Sequence, residues 1–206
     1  GLNAAELDAC QALLQDIAPD LGIDAIRHAA LYVSALDEYG NRLISRPAHP
    51  LLKHGSVHVG TIRGGSAPSV YPDGCELVLE RRTMPGERPD EVLHEFERIL
   101  DELREREGDV RASLEQMLER PGTEVPEESR LVQGLLRAGR KHGISPVVEG
   151  MTAWVDAALL NEVGIPAVCY GPGDIAQAHS ADEWVEVEQI EKCADVLESF
   201  ARDLAT

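Results

Sequence analysis

Two side chains stand where chemistry could be done. His179 sits in a loop that opens with Gly171-Pro172-Gly173, and it is followed by Ser180, Ala181, Asp182 and Glu183. A short apolar run, Ile165 to Tyr170, feeds that loop. A strand that breaks into a Gly/Pro loop carrying one imidazole is the usual layout of an active-site edge, because loops hold the chemistry and strands hold the loops. Taken alone, a lone loop histidine is more often a surface or structural residue than a ligand. Arg82 is the second candidate, at the end of an apolar run and just before Thr83-Met84-Pro85-Gly86-Glu87. Its planar fork suits a substrate carboxylate, because it makes two parallel hydrogen bonds to one. An ion pair with a neighbouring acidic side chain is the competing reading.

Composition limits what these residues could act on. The chain has 206 residues, 43% apolar and 27% charged, which describes one globular domain or two small ones. A formal net charge of -18, from 37 acidic against 19 basic residues, argues against nucleic acid and anionic membrane as partners. Cys10, Cys75, Cys169 and Cys193 are widely spaced and form no CxxC pair. Neither a zinc cluster nor a disulfide scaffold is suggested, and buried free thiols in a cytoplasmic protein fit best. No segment has the apolar length of a membrane span, and no signal-peptide pattern is present.

The elements that must hold the two candidates can be read in order. Asn3-Ala4-Ala5-Glu6 is a capping box, with Leu7, Cys10, Leu14 and Ile17 at helical spacing and Pro19 as a stop. From Gly22 to Pro50 the pattern weakens into loops around short elements. His28, His49 and His54 have no carboxylate or cysteine at ligand spacing and read as structural or surface residues. Val57 to Arg63 and Cys75 to Arg82 alternate as two strands joined through the turn Tyr71-Pro72-Asp73-Gly74, an antiparallel hairpin. Pro89 then opens a helix with the stripe Val92, Phe96, Ile99 and Leu103. Val110 to Glu119 alternates as a half-buried strand. The order is helix, strand, strand, helix, strand: a small antiparallel sheet with helices on one face and its first strand absent.

Pro121-Gly122-Thr123-Glu124-Val125-Pro126 marks a boundary, so two domains are expected, residues 1–120 and 121–206. The second has a helix from Glu127 to His142, a short strand at Pro146 to Val148 and a polar turn at Glu149 to Thr152. A helix from Ala153 to Glu162 follows, then a buried strand from Ile165 to Tyr170. A last helix over 187–204 turns Ile190, Cys193, Leu197 and Phe200 inward. Alternating helices and short apolar strands make the α/β pattern of a mostly parallel sheet.

Together these segments resemble the acetylornithine deacetylase, succinyl-diaminopimelate desuccinylase and aminoacylase-type (ArgE/DapE) metallopeptidases. The likeness runs through Gly1-Leu2-Asn3-Ala4, Gly64-Gly65, Pro72-Asp73, and Arg82 with Pro85-Gly86-Glu87. It continues through Asp156-Ala157, Gly164-Ile165-Pro166, Gly171-Pro172-Gly173, His179 and Asp182-Glu183. Each piece is weak; their ordered combination is specific. The resemblance implies an incomplete ferredoxin-like lid or dimerisation domain over 1–120, followed by the carboxy-terminal part of a zinc-peptidase-like α/β/α catalytic domain over 121–206. It implies hydrolysis of the amide of an N-acyl amino acid or small peptide by a centre of two divalent metals, zinc or cobalt, in a cytoplasmic homodimer joined through the lid domain. His179 would be a metal ligand, Arg82 would bind the substrate carboxylate, and Gly150 and Thr152 would border the substrate.

Two departures qualify that picture. Ser69 stands where the family usually has Asn after Gly-Gly, with a shorter reach and no amide donor. The family's His-x-Asp pair, bridging Asp, Glu-Glu pair and further acidic ligand belong to an amino-terminal half and are not in this sequence. One His cannot hold two divalent ions. The expectation is therefore a segment of an enzyme of about twice the length, inactive by itself; the alternative is a truncated, non-catalytic member serving as a dimerisation or structural partner.

Overall fold

The computed structural model describes residues 22–205, so the helix expected over Asn3 to Ile17, with Cys10, lies outside them. The chain divides into two compact units, Gly1–Arg120 and Pro121–Thr206. The fold is α/β, with a small antiparallel sheet and flanking helices.

In the first unit, α1 (Ala25–Ile44) replaces the loops expected between Gly22 and Pro50. Asp24 caps it by accepting the Arg27 amide at 2.8 Å. Its buried residues, His28, Ala29, Tyr32, Leu36, Tyr39 and Leu43, recur at the three- and four-residue steps of one helix face. Three of those six are His or Tyr, which dilutes the apolar signal in the sequence. β1 (Ser56–Gly64) and β2 (Cys75–Arg82) form the expected antiparallel hairpin. A bulge between Val59 and Thr61 shifts the register, so that Ile62, not Thr61, shares a face with Val59. The α2 helix (Pro89–Glu107) starts with Pro89 and ends at Gly108, whose φ of 80° suits glycine.

One apolar cluster joins these pieces. Tyr32, Leu36, Tyr39 and Leu43 of α1 meet Val92, Phe96, Ile99, Leu100 and Leu103 of α2, with Val57, Val59, Leu77 and Leu79 of the hairpin packed against them. Val110 is buried in this cluster and Leu114 packs on it, but 109–120 forms no strand ladder. Alternation there describes which side chains face inward; a strand also needs a neighbour to pair its backbone. Among the described residues no such partner lies beside it.

In the second unit, α3 (Arg130–Lys141) is capped by Ser129, whose Oγ accepts the Val132 amide at 3.3 Å. It packs on α5 (Val187–Leu204), which buries Val196 fully. Gly134 makes the close approach possible: a Cβ there would lie 2.6 Å from Cε2 of Phe200. Ile190 and Leu197 were expected inward with Cys193 and Phe200, yet they are 47% and 43% exposed. Only one face of α5 meets α3, and the apolar stripe of α5 is wider than that contact. α4 is shorter than expected, Ala157–Glu162. The strands expected at Pro146–Val148 and Ile165–Tyr170 do not form ladders. Instead the Asn161 amide brackets Ala167, donating to its carbonyl at 2.9 Å and accepting its N–H at 2.7 Å, as a neighbouring strand would.

Candidate functional site

Arg82 ends β2, and the strand's parity decides what it can reach. Leu77 and Leu79 point into the cluster, so by period two Arg81 shares their face and Arg82 takes the opposite one. Along that outer face Ser56 opposes Arg82, His58 opposes Glu80, and Arg63 opposes Glu76. The Arg82 side chain is 47% exposed, and its Nε lies 2.8 Å from Glu80 Oε1. It is thus both paired with an acidic neighbour and open to solvent, where an incoming carboxylate would compete with Glu80.

The arginine that sequence reasoning passed over is Arg81. Its side chain is only 4% exposed. Nε donates to Tyr39 Oη at 2.9 Å, Nη2 to Glu87 Oε1 at 2.6 Å, and Nη1 to the Arg82 carbonyl. Glu87 also accepts from Arg46 Nη1 at 3.1 Å, while Arg46 Nη2 reaches Glu95 and Tyr39 Oη donates to Glu95. These contacts close a ring: Arg46, Glu95, Tyr39, Arg81, Glu87 and back to Arg46. Two guanidiniums and two carboxylates balance in charge, which lets Arg81 be buried. Burial, aided by the Glu95 carboxylate, pushes the Tyr39 hydroxyl's pKa up against the opposing pull of Arg81. Burial works against ionising Glu95, but the hydrogen bonds from Tyr39 and Arg46 and the two nearby guanidiniums outweigh it and hold its pKa below the ordinary value. Parity along β2 and Glu87 six residues on were the signals that could have found Arg81; Tyr39, 42 residues earlier, lies too far away in sequence to be read.

Ser69 lies in an exposed turn after β1, where the Val70 amide donates to the Ala67 carbonyl at 3.2 Å. Gly65, with a φ of 77°, begins the same connection. In the second unit Gly150 and Thr152 are exposed and outside any helix or strand, in the stretch that leads to α4.

His179 is exposed and takes a left-handed conformation, φ 65°, which is uncommon for a residue with a Cβ and costs about 1 kcal/mol or more. The loop before it is tied down. Gly173 N donates to Gln189 Oε1 at 2.8 Å, Asp174 Oδ1 accepts from Ala176 N at 2.9 Å, and a 3-10 turn spans Ile175–Gln177. Glu183 folds back so that Oε2 accepts the His179 backbone N–H at 3.2 Å. The loop therefore presents one imidazole. Among the described residues no three His, Cys, Asp or Glu side chains gather closely enough to hold a metal ion. The donors among the described residues do not by themselves fit a two-metal centre, since a single imidazole leaves most of the coordination sphere unfilled. Among the described residues, too, no helix is long and apolar enough to cross a membrane.

Comparison with known proteins gives these positions a setting. Residues 16–107 match the family model of the M20 peptidase dimerisation domain. The chain is 31% identical over 181 residues to an acetylornithine deacetylase of Myxococcus xanthus, covering 87% of this chain and 46% of the relative. It is 28% identical over 194 residues to an N-formyl-4-amino-5-aminomethyl-2-methylpyrimidine deformylase of Bacillus subtilis, with the same coverages. Among solved structures, an aminopeptidase PepT from Bacillus cereus superposes with a TM-score of 0.69 at 20% identity, over 92% of this chain and 48% of that one. The chain thus spans about half the length of the relatives it matches.

Proposed function

The chain resembles the carboxy-terminal portion of the ArgE/DapE-type M20 metallopeptidases, and from that premise we infer that it is a segment of a metal-dependent amide hydrolase. The substrate is an N-acyl amino acid or a small peptide, and Arg82 takes its carboxylate. The observation that carries this reading is the match along 87% of the chain to a relative named as an acetylornithine deacetylase. The exposed Arg82 guanidinium at the strand end supports the carboxylate role. Ser69, Gly150 and Thr152 border the substrate, each in an exposed connection able to approach a ligand. His179 supplies one ligand to a centre of two divalent ions, zinc or cobalt, whose remaining donors come from outside these residues.

Residues 1–120 act as the lid and dimerisation domain and residues 121–206 as part of the catalytic domain. The family match over 16–107 supports a homodimer joined through the first of these. The free thiols of Cys75, Cys169 and Cys193 fit a cytoplasmic protein.

The test is a substrate panel on the natural polypeptide that carries this sequence. N-acetyl-L-ornithine, other N-acetyl amino acids and dipeptides are offered, each beside its carboxamide analogue. We expect turnover of at least one carboxylate substrate, and Arg82→Ala to lower its kcat/KM by about tenfold to a thousandfold, as loss of a bidentate charged contact would. Equal turnover of acid and carboxamide would remove Arg82 from the site. No turnover of any member would sink the hydrolase reading and favour a non-catalytic dimerisation partner.

A further inference from the structure

We propose that the Arg81–Glu87–Tyr39 contacts form a positioning clamp that sets the direction of Arg82, so that carboxylate selectivity depends on residues that never touch the substrate. This rests on the reading of Arg82 as the carboxylate-binding residue. The observation is geometric. A single buried guanidinium holds three pieces of chain at the point where β2 ends: the Tyr39 hydroxyl on α1, the backbone carbonyl of Arg82, and the Glu87 carboxylate beyond the turn.

Glu87 then closes the turn on itself. Its Oε2 accepts the Met84 N–H at 2.6 Å, and its own N–H donates to the Met84 carbonyl at 3.1 Å. Gly86, with a φ of 87°, permits that reversal. Arg82 therefore sits between two fixed points, the Arg81 side chain before it and the Glu87-pinned turn after it. An exposed arginine has many rotamers, but its Cα–Cβ direction is set by backbone, and here that backbone is held by a charged hydrogen bond to its own carbonyl.

Gly55 is a second, independent sign that the clamp is built into the fold. It is buried beside the guanidinium, and a Cβ there would lie 2.7 Å from the Arg82 carbonyl oxygen and 3.1 Å from Arg81 Cζ. Only a residue without a side chain leaves Arg81 and the Arg82 carbonyl where they are. The chain entering β1 is thus shaped around this contact rather than merely near it.

Glu87→Gln keeps size while leaving a single acceptor oxygen for the Met84 amide and the two guanidiniums. The test uses the natural full-length polypeptide, with N-acetyl-L-ornithine or the best substrate of the panel, and the matching carboxamide. We expect KM for the acid to rise about fivefold, kcat to stay within about twofold, and the carboxamide constants to move little. In an Arg82→Ala background Glu87→Gln should have no further effect on the acid-to-carboxamide ratio. Tyr39→Phe, which keeps the ring packing, should repeat the pattern in milder form. Hydrogen exchange at the Met84 amide, expected to quicken in Glu87→Gln, shows that the turn has been loosened in a folded protein.

Outcomes separate the two layers. If Arg82→Ala leaves the acid-to-carboxamide ratio unchanged, or nothing is turned over, the carboxylate reading falls and the clamp with it. If Arg82→Ala collapses the ratio while Glu87→Gln and Tyr39→Phe leave it intact, the clamp alone is overturned. An equal loss on both probes, or the same loss with Arg82 already removed, reduces the ring to a stabilising network and overturns it too.

Discussion

Replacing Tyr39 by Phe isolates the energetic role of the buried ring in unit one. The substitution removes one oxygen and leaves the aromatic contact with Phe96, centroids 5.5 Å apart at 60°, in place. That oxygen accepts from Arg81 Nε at 2.9 Å and donates to Glu95. Glu95 keeps Arg46, but the Arg81 Nε–H is left without its acceptor on a side chain that is 4% exposed. Losing one partner of a buried charged donor costs about 1.5–3 kcal/mol, and that is the loss expected. Tyr32→Phe on the same helix is the control. Tyr32 is also buried, but its hydroxyl makes a single neutral hydrogen bond, 3.3 Å to the Phe96 carbonyl, so about 1 kcal/mol or less is expected. Amide hydrogen exchange in α1 and α2 reads the stability of this unit separately from the rest of the protein. Equal losses for the two variants, or a Tyr39→Phe loss within about 0.5 kcal/mol of zero, would refute the ring as a stabilising network.

Four further outcomes are expected. Burial lifts the Tyr32 pKa from 10.0 to about 12, so its contribution is present below pH 10 and is lost as pH rises through 12; urea midpoints should fall across that window, less steeply in Tyr32→Phe. Glu95 is depressed below 4.5, so its contribution is present above that pH and is lost as pH falls through the lower folded value; a Glu95→Gln variant should lack this part of the acid limb. Gly134→Ala should destabilise the α3–α5 pair by about 1–3 kcal/mol despite better helix propensity, because the methyl would meet the Phe200 ring, and Phe200→Leu should recover most of the loss in thermal melts. His179→Ala should lower the metal content of the full-length protein; unchanged stoichiometry would remove His179 from the ligands.

Particular residues show where the sequence was readable. Pro89 with its apolar stripe, and the alternating runs on either side of Tyr71–Gly74, announce α2 and the hairpin because helix and strand periods are local properties. α1 was missed because its buried face is built from His28, Tyr32 and Tyr39 as much as from Leu36 and Leu43. Residues 110–119 and 165–170 have strand-like patterns, but pairing is a property of two segments, and no pattern in one supplies the other. The site divides the same way. Arg82 and His179 stand out by type and neighbours. The ring beside Arg82 joins residues 39, 46, 81, 87 and 95, whose meeting depends on α1 and α2 packing together. Only the parity of Arg81 and the nearness of Glu87 were available beforehand.

The most direct test of the central claim is metal-dependent turnover by the natural polypeptide. The protein is stripped with a chelator, assayed on its best N-acyl substrate, then reloaded with zinc or cobalt and assayed again, with bound metal counted at each stage. We expect loss of hydrolysis on stripping, recovery on reloading, and about two metal ions per chain at full activity. Hydrolysis that survives complete removal of metal, or a reloaded protein that binds none and stays inert, would contradict it.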